Sequence, residues 1–359
     1  MGLAHVIGPG EREWFRRCRR AWDFGSPNRR NLERQDSSGV DLAGAVRMAM
    51  AVWYFPGMWE WPRAIVQPRA MQAFEEAAAA GPASQADIES GRAMLERYFA
   101  WAPTVDAFAP VRVEADFEAG VPDVRTPGSE LADADGQNVR YHDRIHLLIV
   151  DSHDTYWVVE HRLASDGWAD RDELLLAERP LSATWGWEHW YLGMEFAGTV
   201  HNELRLVGEA GPADSDPGEG RAARHPRARD WARSRAGRQA APEVEDIMVE
   251  EGVGWFRRTW IRRTRAEVGG VGARISAEVL DMLDPDLRLY PSPTPEHCGR
   301  CDFRAPCLAM NEGSDVEAVL EETYQLRRPG GPEEGRLGGG SWSMNRGAAP
   351  PPNWRSPPG

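Results

Sequence analysis

Four cysteines are the residues of this chain whose type and spacing point most directly to chemistry. Cys298, Cys301 and Cys307 form a C-x2-C-x5-C pattern, and Cys18 stands alone near the start of the sequence. Gly, Arg, Asp and Pro surround the three clustered cysteines, which is not the composition of a hydrophobic core. Cysteines in this arrangement predict thiolate ligands for zinc or for an iron–sulfur cluster. The spacing does not separate these two kinds of metal site.

A second group of candidate residues lies on a predicted β-hairpin. Residues 138–150 and 155–163 are two runs rich in β-branched and aromatic residues, joined by a polar turn. Carboxylates on neighbouring strands are ligands that Mg²⁺ prefers, and a bound divalent cation can activate water against a phosphodiester. Glu160 and Arg162 are two residues apart, so both project to one face of the strand. Three histidines of the hairpin are predicted to face solvent: His142, His153 and His161.

The cysteine layout and the hairpin together resemble the PD-(D/E)XK superfamily. The resemblance is to RecB-type nuclease domains whose chain ends are tied by four cysteines around a 4Fe–4S cluster, as in helicase–nucleases of the AddB kind and CRISPR-associated nucleases. It covers most of residues 11–310, and the segment 14–24 is similar to the segment around the family's first cysteine. It implies a 4Fe–4S cluster, with zinc as the alternative, held by Cys18, Cys298, Cys301 and Cys307.

Further segments match the family's active-site elements. Asp143–His146 falls on a G-x-x-D element, Val158–Arg162 falls on a (D/E)-x-K element, and Val113–Phe117 is similar to the first strand. The helical segment Gly44–Met48 is similar to the first motif. The resemblance implies that the catalytic residues are Glu160, Arg162, His146 and Asp143. It implies that the ligands of a catalytic Mg²⁺ or Mn²⁺ are Glu114, Asp143, His146 and Glu160.

Several positions depart from the family pattern. His146 stands where the family has a metal-binding Asp, and Asp143 stands at the Gly position. Arg162 replaces a Lys, in a chain whose 42 basic residues are all arginines. Arg47 or Met48 stands where the first motif has a His. Three tryptophans occupy the region of an expected Q-x-x-x-Y motif, and they are predicted to be core residues: Trp185, Trp187 and Trp190.

Three functions stay open on the sequence alone. The first is a metal-dependent nuclease that cleaves DNA, single-stranded or at ends, in repair, recombination or defence. The second is a catalytically inactive protein of the nuclease fold that binds DNA or a protein partner such as a helicase. The third is an interaction protein stapled by zinc. Two basic stretches, 12–34 and 256–274, are interpreted as solvated helix faces or as a phosphate-binding surface.

The composition excludes some classes of protein. The chain has 359 residues, a net charge of −14, 42% apolar residues and 27% charged residues, which is typical of a globular protein. The sequence contains no Lys, which excludes Schiff-base chemistry and a P-loop lysine. Its apolar runs are too short to cross a bilayer, and its first residues lack a secretion signal. These features predict a cytoplasmic protein with no membrane partner.

The order of the predicted elements indicates a mixed α/β fold, in which helices flank a mixed central β-sheet around a restriction-endonuclease-like core. One domain is predicted over residues 11–326, with a disordered insertion at 208–242 and a disordered Gly/Pro-rich tail at 327–359. The predicted helices are 11–24, 42–55, 68–80, 84–101, 180–193, 244–264, 274–283 and 317–326. The predicted strands are 111–118, 138–150, 155–163 and 196–207.

Overall fold

The computed structural model describes residues 5–35, 40–164, 167–191, 193–206 and 248–327. All of these residues belong to one compact unit, Met1–Arg327. The predicted insertion at 208–242 lies outside the described residues, and so does the predicted tail apart from Arg327. None of the helices in the described part of the chain is long and apolar enough to cross a membrane.

Strands of the described chain form one large sheet and one small one. In chain order they are β1 Val6–Ile7, β2 Leu32–Arg34, β3 Phe108–Gly120, β4 Arg140–Asp151, β5 Tyr156–Leu163, β6 Phe196–Leu204, β7 Met248–Val253, β8 Phe256–Arg262 and β9 Tyr324–Leu326. Strand β4 pairs antiparallel with β3 on one edge, and with parallel β1 and antiparallel β5 on the other. The sheet continues from β5 through parallel β6 to antiparallel β8 and β7. This seven-stranded mixed sheet confirms the predicted mixed α/β fold.

Helices flank the large sheet. Those of the described residues are α1 Pro9–Arg17, α2 Arg19–Gly25, α3 Leu42–Trp53, α4 Arg63–Ala79, α5 Gln85–Val105, α6 Arg171–Leu176, α7 Glu178–Trp190, α8 Arg265–Met282, α9 Pro295–Cys298, α10 Arg304–Glu312 and α11 Val316–Thr323, with a 3-10 turn at Pro56–Met58. Helix α7 packs on β3, β4, β5 and β6, and α3 packs on β4 and β5. The small antiparallel sheet of β2 and β9 joins an early and a late segment of the described chain.

Two hydrophobic clusters cover the two faces of the large sheet. On β4, Leu148 belongs to the cluster formed with α7 and α8, whereas its neighbours Leu147 and Ile149 belong to the cluster formed with α3, α4 and α5. Successive side chains of a strand point to opposite faces, so β4 is covered on both sides. Such burial explains why residues 147–150 read as a continuous apolar run.

Local signals located some helix ends. The predicted capping pair at the start of α5 is present as a capping box, in which Ser84 and Asp87 exchange side-chain and backbone hydrogen bonds. The predicted helix 11–24 is instead two helices, α1 and α2. Cys18 lies between them with an extended backbone (φ −161°, ψ 111°), which interrupts the helix. The predicted helix 68–80 begins five residues earlier, and Pro68 lies inside it.

The predicted helix at 244–264 is wrong. Residues 244–247 lie outside the described chain, and 248–262 form the hairpin of β7 and β8. Strand β8 also pairs with β6, so it is an interior strand of the sheet, and its Thr259, Trp260 and Ile261 are residue types that suit strands. In the sequence, the paired arginines of β8 resemble the polar positions of an amphipathic helix. In the structure, Arg258 is buried.

Two other helix boundaries also differ from the prediction. The helix expected at 274–283 begins at Arg265, after a capping box formed by Thr264 and Glu267. Gly272 lies inside this helix, where a Cβ would lie 2.9 Å from the Trp185 ring. The helix expected at 317–326 ends at Thr323, because the last three residues pair with β2.

Candidate functional site

The candidate residues of the hairpin lie where two strands part. Pairing of β4 with β5 ends at Leu147 and Val159. Beyond this pair, β4 continues along β3 while β5 continues along β6. We call the residues that flank this opening, Asp143–His146 on β4 and Glu160–Arg162 on β5, the fork. Backbone pairing is absent between these two segments, so their side chains can fill the opening.

His146 lies at the centre of the fork, and both of its ring nitrogens face charged groups. Its Nδ1 is 3.1 Å from Oε2 of Glu160, with a bent hydrogen-bond geometry. Its Nε2 is 3.4 Å from an Arg47 nitrogen and 3.2 Å from an Arg179 nitrogen. Guanidinium groups only donate hydrogen bonds, so Nε2 is the acceptor and Nδ1 carries the proton that faces Glu160. Arg179 also lies 3.6 Å from Oε1 of Glu160.

Glu114 reaches the fork from β3 with a strained backbone. Its φ is 44°, a value that residues other than glycine rarely adopt. Its carboxylate lies 3.5 Å from Arg47 and 3.9 Å from Arg144, and its side chain is 6% exposed. Backbone strain of this kind costs about 1–3 kcal/mol and is concentrated at functional sites. The strain therefore marks the fork as a site under constraint.

Asp143 is the most enclosed carboxylate on the β4 side of the fork. Its Oδ1 accepts a hydrogen bond from the Arg144 backbone N–H at 2.7 Å, and its Oδ2 accepts one from the Tyr141 hydroxyl at 3.3 Å. Burial raises the pKa of Asp143, although the charge of Arg179 and the hydrogen bond from Arg144 act in the opposite direction. The fold therefore disfavours the ionised form of this side chain.

Arginine side chains lie close to two carboxylates of the fork. Arg47 lies 3.5 Å from Glu114, and Arg179 lies 3.6 Å from Glu160. Burial alone would raise the pKa of Glu160, but the neighbouring His146 and Arg179 outweigh it and lower that pKa. Glu160 is therefore ionised at neutral pH. Glu114 and Glu160 therefore have arginine partners within the protein.

Replacing Asp143 by Asn is expected to raise the melting temperature at pH 7. The folded-state pKa of Asp143 is raised by burial, so its ionisation lowers stability as the pH rises from the unfolded value, about 3.9, through the folded value. Asn keeps an acceptor for the Arg144 N–H and removes the buried charge. The gain should disappear below about pH 3.9, where Asp143 is protonated in both states. A lower melting temperature than that of the wild type at pH 7 would contradict this prediction.

The structure brings together four of the five predicted fork residues and directs the fifth elsewhere. Glu114, Asp143, His146 and Glu160 converge, as described above. The guanidinium of Arg162 instead forms a 2.6 Å ion pair with Glu173 of α6 and is 45% exposed. Positive charge at the fork comes from Arg47 on α3 and Arg179 on α7. In the sequence, Arg47 was identified only as a residue that stands where the first motif has a His. Arg179 was not identified, because it lies near the start of α7 and belongs to no motif.

His161 is partly buried and contacts Asn202 and Tyr54, so the prediction that it faces solvent holds only in part. Its Nδ1 lies 2.9 Å from the amide nitrogen of Asn202, and its ring stacks on Tyr54 with 6.0 Å between the ring centres. Burial, and secondarily the neighbouring His146, lower the pKa of His161 to about 3, so it is neutral at physiological pH. The other two histidines of the hairpin are exposed, as predicted: His142 and His153.

A further histidine near the fork was missed by sequence reasoning. His201 lies opposite Glu160 in the β5–β6 ladder and is 4% exposed. Burial lowers its pKa to about 4, although Glu160 acts in the opposite direction. Its Nε2 is buried without a hydrogen-bond partner. The alternation of β6 could have placed this residue on an inward face, but the register with β5 could not be read from the sequence.

Tryptophans of α7 form part of the core. Trp185 is 1% exposed and Trp187 is 3% exposed, which confirms the prediction for these two. Trp190 is 44% exposed, so the prediction is wrong for the last one. Trp190 is the last residue of α7, and its side chain lies outside the buried face of the helix.

Neither basic stretch forms a simple solvated face. In the stretch 12–34, Arg12 is 1% exposed and binds carboxylates of α7 and α8. In the stretch 256–274, the first residues form a strand, and Arg258 and Arg263 are 1% and 6% exposed. These arginines are internal partners of the fold. Arg258 and Arg263 therefore lie neither on a solvated helix face nor on a phosphate-binding surface. For these two residues the interpretation of the second stretch is wrong.

The structure places Cys18 beside the C-terminal segment that carries the other three cysteines. Cys18 and Cys301 line one pocket. Burial raises the pKa of the Cys301 thiol, and the nearby Cys18 and Cys298 thiols add to this effect. Arg20 donates a hydrogen bond to Sγ of Cys307 at 3.3 Å. We call the region of these four cysteines the cysteine junction.

The two candidate sites differ in how well their donors suit a metal. Within the described residues, no three or more His, Cys, Asp or Glu side chains are arranged to hold a metal ion. At the fork, guanidinium groups face Nε2 of His146, so this nitrogen does not suit a cation. At the cysteine junction, Cys18, Cys301 and His297 line one pocket. These donor types fit a thiophilic metal.

Comparison with known proteins adds little to this geometry. No family model and no curated protein matches the chain. Nine chains of solved structures match it. One of them, the crystal structure of SSO0001, is 10% identical over 74% of this chain and 84% of that chain, with a TM-score of 0.29. At that TM-score the likeness does not bear on fold or function.

Proposed function

We propose that this chain is a nucleic-acid-binding protein that resembles RecB-type nucleases but does not cleave. The observation that carries this proposal is the position of Arg47 and Arg179, which both lie against Nε2 of His146. In the nuclease pattern this region binds a divalent cation. Here two guanidinium groups lie against this nitrogen instead.

The arginines of the fork support the loss of cleavage. A divalent cation at Glu114 or Glu160 would lie beside the guanidinium group that already pairs with that carboxylate. It would also have to displace Arg47 and Arg179 from His146, whose Nδ1 already faces Glu160. Coulomb repulsion between a cation and a guanidinium group is strong in a partly buried site. The network therefore disfavours the metal that hydrolysis needs.

The same arginines suit a phosphate group. Arg179 has a side chain that is 45% exposed, and that of Arg47 is 25% exposed, so both can be reached from solvent. Guanidinium groups bind phosphate through paired hydrogen bonds. The proposed ligand is the DNA backbone at the fork.

Fluorescence anisotropy with labelled single-stranded and double-stranded DNA tests the proposal. We expect binding that weakens as salt rises from about 50 to 200 mM, and no cleavage with Mg²⁺ or Mn²⁺ in the same samples. Arg179→Ala should weaken binding about 10-fold, since it removes one charged contact. The matched control is Arg92→Ala, whose side chain is 46% exposed and pairs with Glu75 away from the fork. Equal affinity of both variants would overturn the proposal.

Metal-dependent DNA cleavage is the second candidate function. The convergence of Glu114, Asp143 and Glu160 favours it, because these residues would hold a Mg²⁺ or Mn²⁺ that polarises the phosphate and lowers the pKa of water. Cleavage that Mn²⁺ stimulates and that Glu160→Gln abolishes would establish this function and reject the first. Cleavage that survives Glu160→Gln would point to a contaminating nuclease.

A further inference from the structure

A further arginine lies at the carboxyl end of β6, on the face of the sheet that carries Glu160. His201 of β6 is paired in register with Glu160, so the two side chains share a face. Arg205 is four residues after His201 and extends the strand, since its backbone N–H donates to the Trp255 carbonyl at 3.0 Å. Strand alternation places Arg205 on that same face, about 13 Å further along.

The side chain of Arg205 lies over an indole ring. Its guanidinium carbon is 5.2 Å from the centre of the Trp168 ring, and that of Arg257 is 5.4 Å from a ring centre of the same residue. A guanidinium group over an indole is held by cation–π attraction. The ring therefore limits the orientations of the Arg205 side chain.

A buried carboxylate fixes the segment that carries this ring. The Glu203 side chain is 0% exposed. Its Oε1 accepts a hydrogen bond from the Ala169 backbone N–H at 2.9 Å, and its Oε2 accepts one from Nε of Arg257 at 2.7 Å. Ala169 directly follows Trp168 in the chain. The indole and its second arginine are therefore tied to the sheet, and Trp168 is a fixed support for Arg205.

Arg205 differs from Arg257 in having no charged partner. In the ranges that the structure describes, the Arg205 guanidinium forms neither an ion pair nor a hydrogen bond. Its N–H donors are thus free for a ligand. An oriented guanidinium with free donors binds a phosphate group through paired hydrogen bonds.

Arg162 lies between the fork and Arg205. It is paired in register with Glu203, two residues before Arg205. Its side chain is 45% exposed, although it pairs with Glu173. Arg179 lies at the fork itself. Cationic groups therefore follow one another from the fork to the end of β6.

We infer that Arg205, supported by Trp168, binds a second phosphate of the DNA strand that the fork binds. This inference rests on the function proposed above and describes its ligand more narrowly. Contacts at both Arg179 and Arg205 require a strand of several nucleotides rather than a mononucleotide. Proteins that bind single strands commonly follow the backbone with a positively charged surface of this kind.

Fluorescence anisotropy of the full chain with a labelled oligothymidylate of about 12 nucleotides tests this inference, because that length lies within the site sizes of single-strand-binding folds. Arg205→Ala should weaken binding about 10-fold. It should also reduce the slope of log affinity against log salt by about 0.7, the value for one phosphate contact of a single strand. With a labelled dinucleotide, the difference between Arg205→Ala and the wild type should shrink, because a dinucleotide does not reach both arginines.

Two variants separate the orientation of Arg205 from its charge. Trp168→Leu and Arg205→Lys both keep the positive charge, so the salt dependence should stay as in the wild type while affinity falls about 3-fold. The matched control is Arg69→Ala, which removes an exposed arginine of α4 on the opposite side of the sheet. It should bind the longer oligomer as the wild type does. Far-UV circular dichroism of each variant checks that it is folded, and Arg205→Lys retains the test if Trp168→Leu is not.

The outcomes distinguish this inference from the function on which it rests. Wild-type affinity of Arg205→Ala for the longer oligomer, together with weaker binding by Arg179→Ala, overturns the inference and leaves the proposed function in place. An equal loss in Arg205→Ala and Arg69→Ala overturns it as well, since any lost positive charge would then have the same effect. A wild-type protein that does not bind DNA rejects the proposed function and the inference together.

Discussion

Arg258→Met is expected to lower the free energy of unfolding by about 3–5 kcal/mol. Arg258 is 1% exposed and donates to Asp106 at 2.8 Å, to Tyr98 at 3.1 Å and to Tyr54 at 3.3 Å. Methionine has a similar volume but leaves a buried carboxylate and two hydroxyls without their cation. Urea unfolding followed by far-UV circular dichroism measures the loss.

Two further variants separate this network from a general effect of losing an arginine. Arg92→Met removes a 3.0 Å ion pair with Glu75 in which both side chains are 46% exposed, and it should cost less than about 1 kcal/mol. Adding Asp106→Asn to Arg258→Met should recover part of the loss, because burial disfavours the unpaired carboxylate and raises its pKa. An unfolding midpoint for Arg258→Met that matches that of Arg92→Met would contradict the prediction.

The Arg258 network also supports the fork. Asn202 donates to the Tyr98 hydroxyl at 3.0 Å and contacts His161, which stacks on Tyr54. His161 follows Glu160 on β5. A series of contacts therefore connects Arg258 of β8 with His161, which is next to Glu160 in the chain. A stable backbone at this point is needed for a phosphate site and for a metal site alike.

Trp185→Ala is expected to lower the free energy of unfolding by about 3–5 kcal/mol, the range for deleting a large buried aromatic side chain. The Trp185 ring is 1% exposed, lies 5.9 Å from the Tyr141 ring and packs against Gly272 of α8. Glycine leaves no side chain that could fill the cavity. Thermal or urea unfolding gives the size of the effect.

Trp190→Ala is the matched control on the same helix. Trp190 is 44% exposed, and its ring contacts Trp187 at 5.2 Å. Its removal should change stability by less than about 1 kcal/mol, as is usual for exposed positions. Equal losses in the two variants would show that Trp185 is not a core residue.

The Trp185 ring contacts Tyr141, and the Tyr141 hydroxyl donates a hydrogen bond to Asp143. Trp185→Ala should therefore also weaken the packing on the β4 side of the fork.

Much of the scaffold around the fork could be predicted from local sequence. The hairpin of β4 and β5 follows from two runs of strand-forming residues around a polar turn, and α5 follows from a capping box at Ser84. These signals work because strand preference and capping depend on residues that are near one another in the chain. The convergence of Asp143, His146 and Glu160 was expected from the same hairpin. Its function stays a prediction.

Elements whose nature depends on distant partners could not be predicted. Strand β8 carries charged residues at buried positions, and its identity as a strand depends on Asp106 and Glu203, which pair with Arg258 and Arg257. No sequence pattern within residues 248–262 indicates that Asp106 and Glu203 are partners of this strand. The same reason explains Arg179, whose role at the fork exists only because α7 packs across the sheet.

The amino-acid sequence by itself determined the mixed α/β class, the hairpin and the positions of four cysteines, because residue preference and spacing act over a few residues. Tertiary packing alone decided which charges meet. It directed Arg162 to Glu173, placed two arginines against His146 and turned His297 into the pocket of Cys18. Electrostatic interactions and burial depend on distances in space, and those distances are set only when segments far apart in the chain have packed together.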